Sequence, residues 1–262
     1  MSNAFKQALA EKRVQIGFWQ GLASPYTAEI CAGAGFDWLL FDGEHSPTDV
    51  PTLLSQLQAV NGTRSHAVAR PPVGEPWLIK QYLDLGFRTL LIPMVNNAAQ
   101  AARLVQACRY PASGIRGVAM SRASQWGRDR DYLARADDEI CLLVQVETVE
   151  GVDAVDEISA VEGVDGVFVG PADLSASLGY RGQPAHPDVV ARIEKAIASI
   201  LAAGKAPGIL SADVAAAHRY RDLGCLFVAV GTDMGLLARG TDALAAAFGL
   251  GPDAPPPAAG TY

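Results

Sequence analysis

Two short stretches of sequence decide the fold of this chain: Val144-Gln145-Val146-Glu147-Thr148 and, one βα unit later, Val167-Phe168-Val169-Gly170-Pro171-Ala172-Asp173. Each is typical of an apolar strand that ends in a single carboxylate, Glu147 in the first and Asp173 in the second. A carboxylate is costly inside a β-core, so one at each strand end predicts a rim where the two act together. Two oxygen ligands facing an open site suit Mg²⁺ or Mn²⁺, with substrate and water in the other positions. The alternative interpretation is that both are helix N-caps, because a helical stretch follows each of them.

Short apolar runs alternate with longer amphipathic stretches along almost the whole chain. Eight runs have the length of strands: residues 14–19, 38–41, 67–70, 89–93, 140–146, 166–169, 206–210 and 226–230. Apolar residues recur at the helical period in stretches between them: residues 48–60, 75–85, 98–108, 187–203 and 212–223. Near-continuous apolar strands that alternate with helices indicate parallel strands covered by helices.

A weak internal repeat supports this arrangement. Gly35, Gly86 and Gly224 each follow a helical stretch and precede a new strand. A glycine in this position provides the left-handed cap that turns the chain back into the sheet. Eight strands in βα alternation predict a (β/α)₈ TIM barrel of the α/β class. A doubly wound open sheet is the alternative, but no GxGxxG follows the first strand, which disfavours a dinucleotide-binding fold.

The chain has no linker that would divide it into two domains. Its 262 residues suffice for one barrel, and we expect residues 1–250 to form a single barrel domain. Residues 251–262 are rich in proline and glycine and predict a flexible tail.

Composition excludes several functional classes. The net charge of −7 provides no basic surface for nucleic acid or for anionic membranes. No apolar run reaches the roughly 18 residues that span a bilayer, and the N-terminus lacks a secretory core, so we expect a cytoplasmic protein. The four cysteines are widely spaced and include no CxxC pair. They are expected to be buried, reduced thiols rather than a zinc or redox site.

Polar residues at the predicted strand ends form a short list. Function gathers at the C-terminal ends of barrel strands. The residues expected there are Asp42, Glu44, His45, Arg70, Gln145, Glu147 and Asp173. They are distant in sequence, yet closure of the barrel would bring them together at its mouth, the end formed by the C-terminal ends of the strands.

Three residues are candidates for catalysis. His45 lies in a loop, where a histidine is often only solvated, but the adjacent carboxylates favour a general base that titrates near neutral pH. Arg70 could form a surface ion pair, but as the only charge on an apolar strand it is better placed to bind a carboxylate or a developing oxyanion. Asp84 lies late in a helix, where an acid is unfavourable for the helix dipole. It is either a solvated last-turn residue or a partner that orients or charges a histidine.

Other chemistries find less support. None of the five lysines ends a predicted strand, which disfavours a Schiff-base mechanism. His66, His186 and His218 have no clustered ligands and are interpreted as structural.

Four motifs in combination carry a family resemblance. They are Phe41-Asp42-Gly43-Glu44-His45, Tyr110-Pro111 with Gly114-Ile115-Arg116-Gly117, Val144-Gln145-Val146-Glu147-Thr148 and Gly170-Pro171-Ala172-Asp173-Leu174-Ser175. Together they resemble the metal-dependent (class II) pyruvate aldolases, most closely those of the 4-hydroxy-2-oxoheptanedioate aldolase type. The resemblance covers nearly the full chain.

The resemblance implies which residues bind metal and substrate. Glu147 and Asp173 would ligate a divalent metal ion, which is Mg²⁺, Mn²⁺ or Co²⁺. Gln145 and the backbone at Ala172 would contact the bound 2-oxo acid, next to Asp173 and Arg70.

The same resemblance implies the reaction and the assembly. His45 would be the base, Asp84 would raise its basicity, and Arg70 would stabilise an enolate. A 4-hydroxy-2-oxo acid, such as 4-hydroxy-2-oxoheptanedioate of aromatic catabolism, would be cleaved reversibly through a metal-stabilised pyruvate enolate. The products would be pyruvate and an aldehyde such as succinate semialdehyde. The last helix of the barrel would be exchanged between subunits, and dimers would assemble into a hexamer.

Several alternatives stay open. The chain could be an aldolase of the 2-dehydro-3-deoxyglucarate type, or a lyase or decarboxylase acting on oxaloacetate or an acyl-CoA thioester. A CoA site would need a basic cluster for the phosphates, which this acidic chain lacks. The non-enzyme alternative is a silent barrel that binds a small carboxylate. Such a barrel would lose the metal acids or the base, whereas Glu147, Asp173, His45 and Arg70 are all present.

Overall fold

The computed structural model describes residues 3–251 and contains a closed barrel of eight parallel strands in chain order. The strands are β1 (Gln15–Gln20), β2 (Trp38–Asp42), β3 (His66–Arg70), β4 (Thr89–Ile92), β5 (Cys141–Val146), β6 (Gly166–Val169), β7 (Ala206–Leu210) and β8 (Phe227–Thr232). β1 pairs with both β2 and β8, which closes the barrel. The predicted (β/α)₈ fold is therefore confirmed, and the doubly wound sheet, which would leave two free edges, is wrong.

Helices cover the outside of the barrel. Those within the described residues are α1 (Ala4–Ala10), α2 (Pro25–Gly33), α3 (Val50–Ala59), α4 (Pro76–Leu85), α5 (Ala98–Cys108), α6 (Tyr132–Glu139), α7 (Val149–Asp153), α8 (Val155–Ala160), α9 (Pro171–Ser177), α10 (Pro187–Ala202), α11 (Val214–Asp222) and α12 (Asp233–Ala247). The predicted strands and helices all occur. Side chains cap several of the helix starts; the side chain of Asn97, for example, accepts from the backbone N–H of Gln100 at the start of α5.

The predicted glycine caps are confirmed. Gly35, Gly86 and Gly224 have φ of +93°, +105° and +107°, the left-handed region in which a side chain is strained. Each one ends a helical segment and returns the chain to the N-terminal end of the barrel, so the next strand starts in register with its neighbour.

Two apolar layers hold the barrel in shape. Inside it, the buried rings of Trp38, Phe168 and Phe227 fill the interior, and Phe5 of α1 lies against Trp38 and Phe227 at centroid distances of 6.0 and 6.1 Å. Outside it, aliphatic side chains of the strands pack against the helices. These layers make the strand ends a rigid support for polar groups.

The remaining predictions have mixed outcomes. Cys108, Cys141 and Cys225 are buried free thiols as predicted, but Cys31 is only half-buried because α2 packs on the barrel with one face. His66 lies at the start of β3. No helix within residues 3–251 is long and apolar enough to cross a membrane. The predicted tail lies outside the described residues apart from Gly251.

Candidate active site

The ends of β2 and β3 contribute the first pair of site residues. Asp42 and Arg70 are the last residues of these strands and are partners in the register of the sheet. Nε of Arg70 donates to Oδ1 of Asp42 at 3.0 Å, and Nη2 donates to Oδ2 at 2.7 Å. Burial opposes ionisation of Asp42, but Arg70, together with hydrogen bonds from Trp19 and the backbone of Glu44, outweighs it and the pKa of Asp42 is lowered. These two hydrogen bonds fix the orientation of the buried guanidinium plane.

The loop after β2 places a second acid and the histidine beside this pair. Nη1 of Arg70 lies 2.8 Å from Oε2 of Glu44. Nε2 of His45 lies 3.7 Å from the same oxygen, and the His45 side chain is 64% exposed. Burial raises the pKa of Glu44, although the charges of Arg70 and His45 oppose that rise. His45 is thus anchored next to the guanidinium and still open to a substrate.

Glu147 is buried beyond the end of β5 and forms no ion pair within the described residues. Its Oε1 accepts a hydrogen bond from the backbone N–H of Met94 at 2.9 Å, and its Oε2 accepts one from Nε2 of Gln145. Burial is the main cause that raises the pKa of Glu147 to about 7, and nearby carboxylates add to it. Oε1 of Gln145 is also buried and finds no donor among the described residues.

The loop after β6 approaches Glu147 closely. A Cβ atom at Gly170 would lie 2.8 Å from Oε2 of Glu147, so a residue with a side chain would displace the carboxylate. Ala172 and Asp173 follow in the first turn of α9 and are exposed. The charge of Asp173 raises the pKa of both Glu44 and Glu147, so the three carboxylates lie within electrostatic range of one another.

The N-cap interpretation of the two strand-end acids is wrong. The N-cap of α7 is Thr148, whose side chain accepts from the N–H of Gly151 at 3.0 Å. The N-cap of α9 is Gly170, and Asp173 lies inside the first turn. The carboxylate of Glu147 is therefore available to the mouth rather than used to start a helix.

The structure does not bring Asp84 to His45 within one chain. Asp84 is the second-last residue of α4, which runs from the mouth back to the N-terminal end of the barrel. Its Oδ1 accepts a hydrogen bond from Nη2 of Arg116 at 2.9 Å. His45 follows β2 at the opposite end, and no hydrogen bond or ion pair among residues 3–251 joins it to Asp84.

Sequence analysis missed two features of the site. The list of strand-end polar residues contains none that follows β4, but the backbone N–H of Met94, a residue with φ of +57°, donates to Glu147. A backbone donor leaves no side-chain signal in the sequence. Asp42 and Glu44 were placed at the mouth without a role, and the structure makes both of them partners of Arg70.

The site fits a divalent cation held by few protein ligands. No group of three or more His, Cys, Asp or Glu within residues 3–251 is arranged to hold a metal by itself. Glu147 and Asp173 would supply carboxylate oxygens, and Oε1 of Gln145, which has no partner among the described residues, leaves room for a further polar group. Two carboxylates with open positions suit a hard cation that also binds substrate and water.

Comparison with known proteins identifies the family of the chain. The chain is 59% identical over 252 residues to the 4-hydroxy-2-oxo-heptane-1,7-dioate aldolase of Salmonella newport (strain SL254), which covers 95% of this chain and 96% of the relative. A solved HpcH/HpaI aldolase/citrate lyase family protein from Burkholderia cenocepacia J2315 has a TM-score of 0.91 and 42% identity, covering 94% of this chain and 99% of that one. An HpcH/HpaI aldolase from Desulfitobacterium hafniense DCB-2 has a TM-score of 0.86 and 27% identity, covering 96% and 98%. Residues 15–240 match the model of one family, and the chain therefore belongs to the HpcH/HpaI aldolase/citrate lyase family.

Proposed function

We propose that the chain is a divalent-metal-dependent aldolase, a carbon–carbon lyase that reversibly cleaves 4-hydroxy-2-oxo acids. The observation that carries this proposal is the convergence of Glu147 and Asp173 with the buried guanidinium of Arg70 and the exposed His45. The substrate is 4-hydroxy-2-oxoheptanedioate, and the products are pyruvate and succinate semialdehyde. The identity of 59% to the Salmonella aldolase supports this choice of substrate.

Glu147 and Asp173 would hold the cation, which is Mg²⁺, Mn²⁺ or Co²⁺. Such an ion, when bound, acts as a Lewis acid that polarises the 2-oxo carbonyl. Gln145, the backbone at Ala172 and Arg70 would orient the 2-oxo acid. Gln145 donates to Glu147, and Ala172 directly precedes Asp173. Arg70 lies 2.8 Å from Glu44 at the same end of the barrel.

His45 and Arg70 would carry the proton and the charge. His45 takes the proton of the 4-hydroxyl, and the electrons left on that oxygen form the aldehyde carbonyl as the C3–C4 bond breaks. The electrons of that bond pass to C3 and the 2-oxo oxygen. Arg70 donates to this oxygen through N–H groups that Asp42 does not use, and the proton taken from the 4-hydroxyl is returned to C3, which completes pyruvate. In comparable sites, positioned proton transfer increases the reaction rate ~10²–10⁴-fold, and loss of one oxyanion donor decreases it ~10²–10³-fold.

Asp84 would act on a histidine of a second subunit. It lies at the end of the barrel opposite the mouth, so within one chain the two side chains stay apart. One carboxylate oxygen of Asp84 is taken by Arg116, and the side chain is still 21% exposed. A second copy of the chain could therefore bring its His45 to this carboxylate. The negative charge of Asp84 would then make the imidazole of that His45 more basic.

The last helix supports such an assembly. Along α12 and just after it, Leu236, Leu237, Leu244, Phe248 and Leu250 are 57–77% exposed. An apolar helix that its own barrel leaves uncovered is typical of an interface. We infer that α12 is exchanged between subunits and that dimers assemble into a hexamer.

The assembly is tested by light scattering after size-exclusion chromatography. Leu236→Gln combined with Leu237→Gln should reduce the oligomer mass. Val214→Gln is the control, because Val214 is 67% exposed on α11, outside the last helix. An unchanged mass in the double variant would contradict the role of α12.

The reaction is tested by pyruvate release from 4-hydroxy-2-oxoheptanedioate in a coupled assay. Release should vanish after EDTA treatment and return with Mg²⁺ or Mn²⁺. Glu147→Gln should abolish the metal-restored activity, whereas Glu150→Gln, an exposed acid on α7, should keep it. Release that ignores the chelator would overturn the metal site. Absence of release with metal would overturn the substrate, and oxaloacetate and other 4-hydroxy-2-oxo acids would then be compared.

A further inference from the structure

We propose that Asp42 and Trp19 are positioning residues that together set the guanidinium of Arg70 and the loop carrying His45. This inference rests on the proposed function and deepens it, because it assigns roles to two side chains at the same mouth.

Asp42 is the common acceptor for both proposed catalytic groups. Besides the two bonds from Arg70, its Oδ1 accepts from the backbone N–H of Glu44 at 2.9 Å and of His45 at 3.3 Å. The same oxygen atom thus holds the guanidinium and the turn that carries the imidazole. A displacement of this carboxylate would move Arg70 and His45 together.

Trp19 fixes the other oxygen of that carboxylate. Its Nε1 donates to Oδ2 of Asp42 at 3.1 Å. The carbon centre of the Arg70 guanidinium lies 4.8 Å from the centre of the Trp19 ring, and the Trp19 side chain is buried. The indole therefore contacts both members of the ion pair, through a hydrogen bond to one and a cation–π contact to the other.

These three side chains come from three neighbouring strands. Trp19 lies near the end of β1, and Asp42 and Arg70 end β2 and β3 in register with each other. Nε and one N–H of Nη2 point at Asp42, and Nη1 faces Glu44. The remaining N–H groups are the ones left for a substrate oxygen, and the rigid strands decide where they point.

The alternative is that Trp19 only packs the barrel interior. Its ring centroid lies 5.7 Å from that of Phe168, so its removal could merely loosen this packing. Trp38 is the matched comparison, because it is equally buried and its Nε1 donates one hydrogen bond, to the carbonyl of Gln15 at 3.1 Å. No hydrogen bond or cation–π contact in the described part of the chain joins Trp38 to Asp42 or Arg70.

The test uses Trp19→Phe, Asp42→Asn and the control Trp38→Phe in the full-length enzyme with Mn²⁺. Asp165→Asn is the control for the acid, since Asp165 accepts from the backbone N–H of Leu142 near the opposite end. We expect Trp19→Phe to lower kcat about tenfold and Asp42→Asn about 10²-fold, with KM changed less than about twofold. Both control variants should keep kcat, even where their thermal midpoints fall.

A double-mutant cycle separates positioning from general packing. Lysine has no planar fork, so in an Arg70→Lys background Trp19→Phe should lower kcat less than about twofold. The same cycle is measured on the affinity for oxalate with Mn²⁺, because oxalate is a planar dianion shaped like the enolate of pyruvate. An equal loss in both backgrounds, or unchanged kcat and oxalate affinity in Trp19→Phe and Asp42→Asn, would overturn the inference.

The oxalate measurement also distinguishes this inference from the proposed function. If the wild-type enzyme releases no pyruvate but binds oxalate, the aldolase proposal fails and the cycle on oxalate affinity still decides the roles of Trp19 and Asp42. If the wild-type enzyme neither releases pyruvate nor binds oxalate, the inference is wrong as well.

Discussion

Asp84 is held by a fully buried arginine, Arg116, at the end of the barrel opposite His45. Nη2 of Arg116 donates to Oδ1 of Asp84 at 2.9 Å and to the hydroxyl of Tyr132 at 3.2 Å. The guanidinium lies 4.5 Å from the ring centre of Tyr110. The motif that contains Tyr110 and Arg116 thus fixes the position of the Asp84 carboxylate at the surface.

If Asp84 serves a histidine of another subunit, two inactive variants should complement each other. His45→Ala and Asp84→Asn chains are each expected to lose activity alone. After co-expression in equal amounts, about a quarter of the sites would combine an intact His45 with an intact Asp84. We expect this fraction of wild-type pyruvate release from purified mixed oligomers.

Two comparisons make the complementation decisive. Mixing the separately purified variants without subunit exchange should restore nothing. Mixed oligomers that stay at the activity of the single variants would show that Asp84 does not act in trans.

Removal of Asp84 should also destabilise the fold. In Asp84→Ala the cation of Arg116 stays buried with its strongest acceptor gone, and such a loss costs about 3 kcal/mol of unfolding free energy. Asp156→Ala, at an exposed position of α8, should stay within about 0.5 kcal/mol of wild type. Urea titrations followed by circular dichroism measure both variants. Equal unfolding midpoints would refute the structural importance of the Asp84–Arg116 pair.

Gly170→Ala should weaken metal binding. The added methyl group would lie 2.8 Å from both Cβ and Oε2 of Glu147, so the carboxylate would have to move. We expect the affinity for Mn²⁺, measured by isothermal titration calorimetry, to fall about tenfold, the effect of disturbing atoms that support a ligand. Gly33→Ala is the control, because a Cβ atom there meets no atom within 4 Å. Equal affinity in the two variants would remove Glu147 from the metal site.

His66 should make the stability of the protein depend on pH. Burial lowers its pKa from the usual 6.5 to about 4, and its Nε2 shares a hydrogen bond with Thr89 at 2.7 Å. The unfolded chain therefore binds a proton more readily than the folded chain. The contribution of His66 is complete above about pH 6.5 and is lost as the pH falls toward 4.

Urea unfolding between pH 7.5 and 4.5 tests this dependence. His66→Gln, which keeps a hydrogen-bonding group near Thr89, should show a shallower loss of stability with acid than wild type. His218→Gln, at an exposed position on α11, should follow the wild-type curve. Parallel curves for wild type and His66→Gln would show that the imidazole does not drive the acid response.

The sequence alone determined the barrel and most of the mouth. Apolar runs of strand length mark the strands because each strand is covered on both faces, and helical periodicity marks the helices because only one face packs. Strand-end polar residues such as Arg70 and Glu147 could be predicted since a charge does not remain on an apolar strand without a use. The closed barrel confirms the predicted strands and helices, whereas the functional roles of the strand-end residues stay a prediction.

Only the tertiary structure decided which side chains meet. The register of β2 and β3 places Asp42 opposite Arg70, and the fold carries Asp84 to the far end of the barrel, away from His45. The N–H of Met94 reaches Glu147 across 53 positions of sequence. Such contacts depend on distances between strands and on backbone donors, which every residue except proline carries, so no residue pattern announces them.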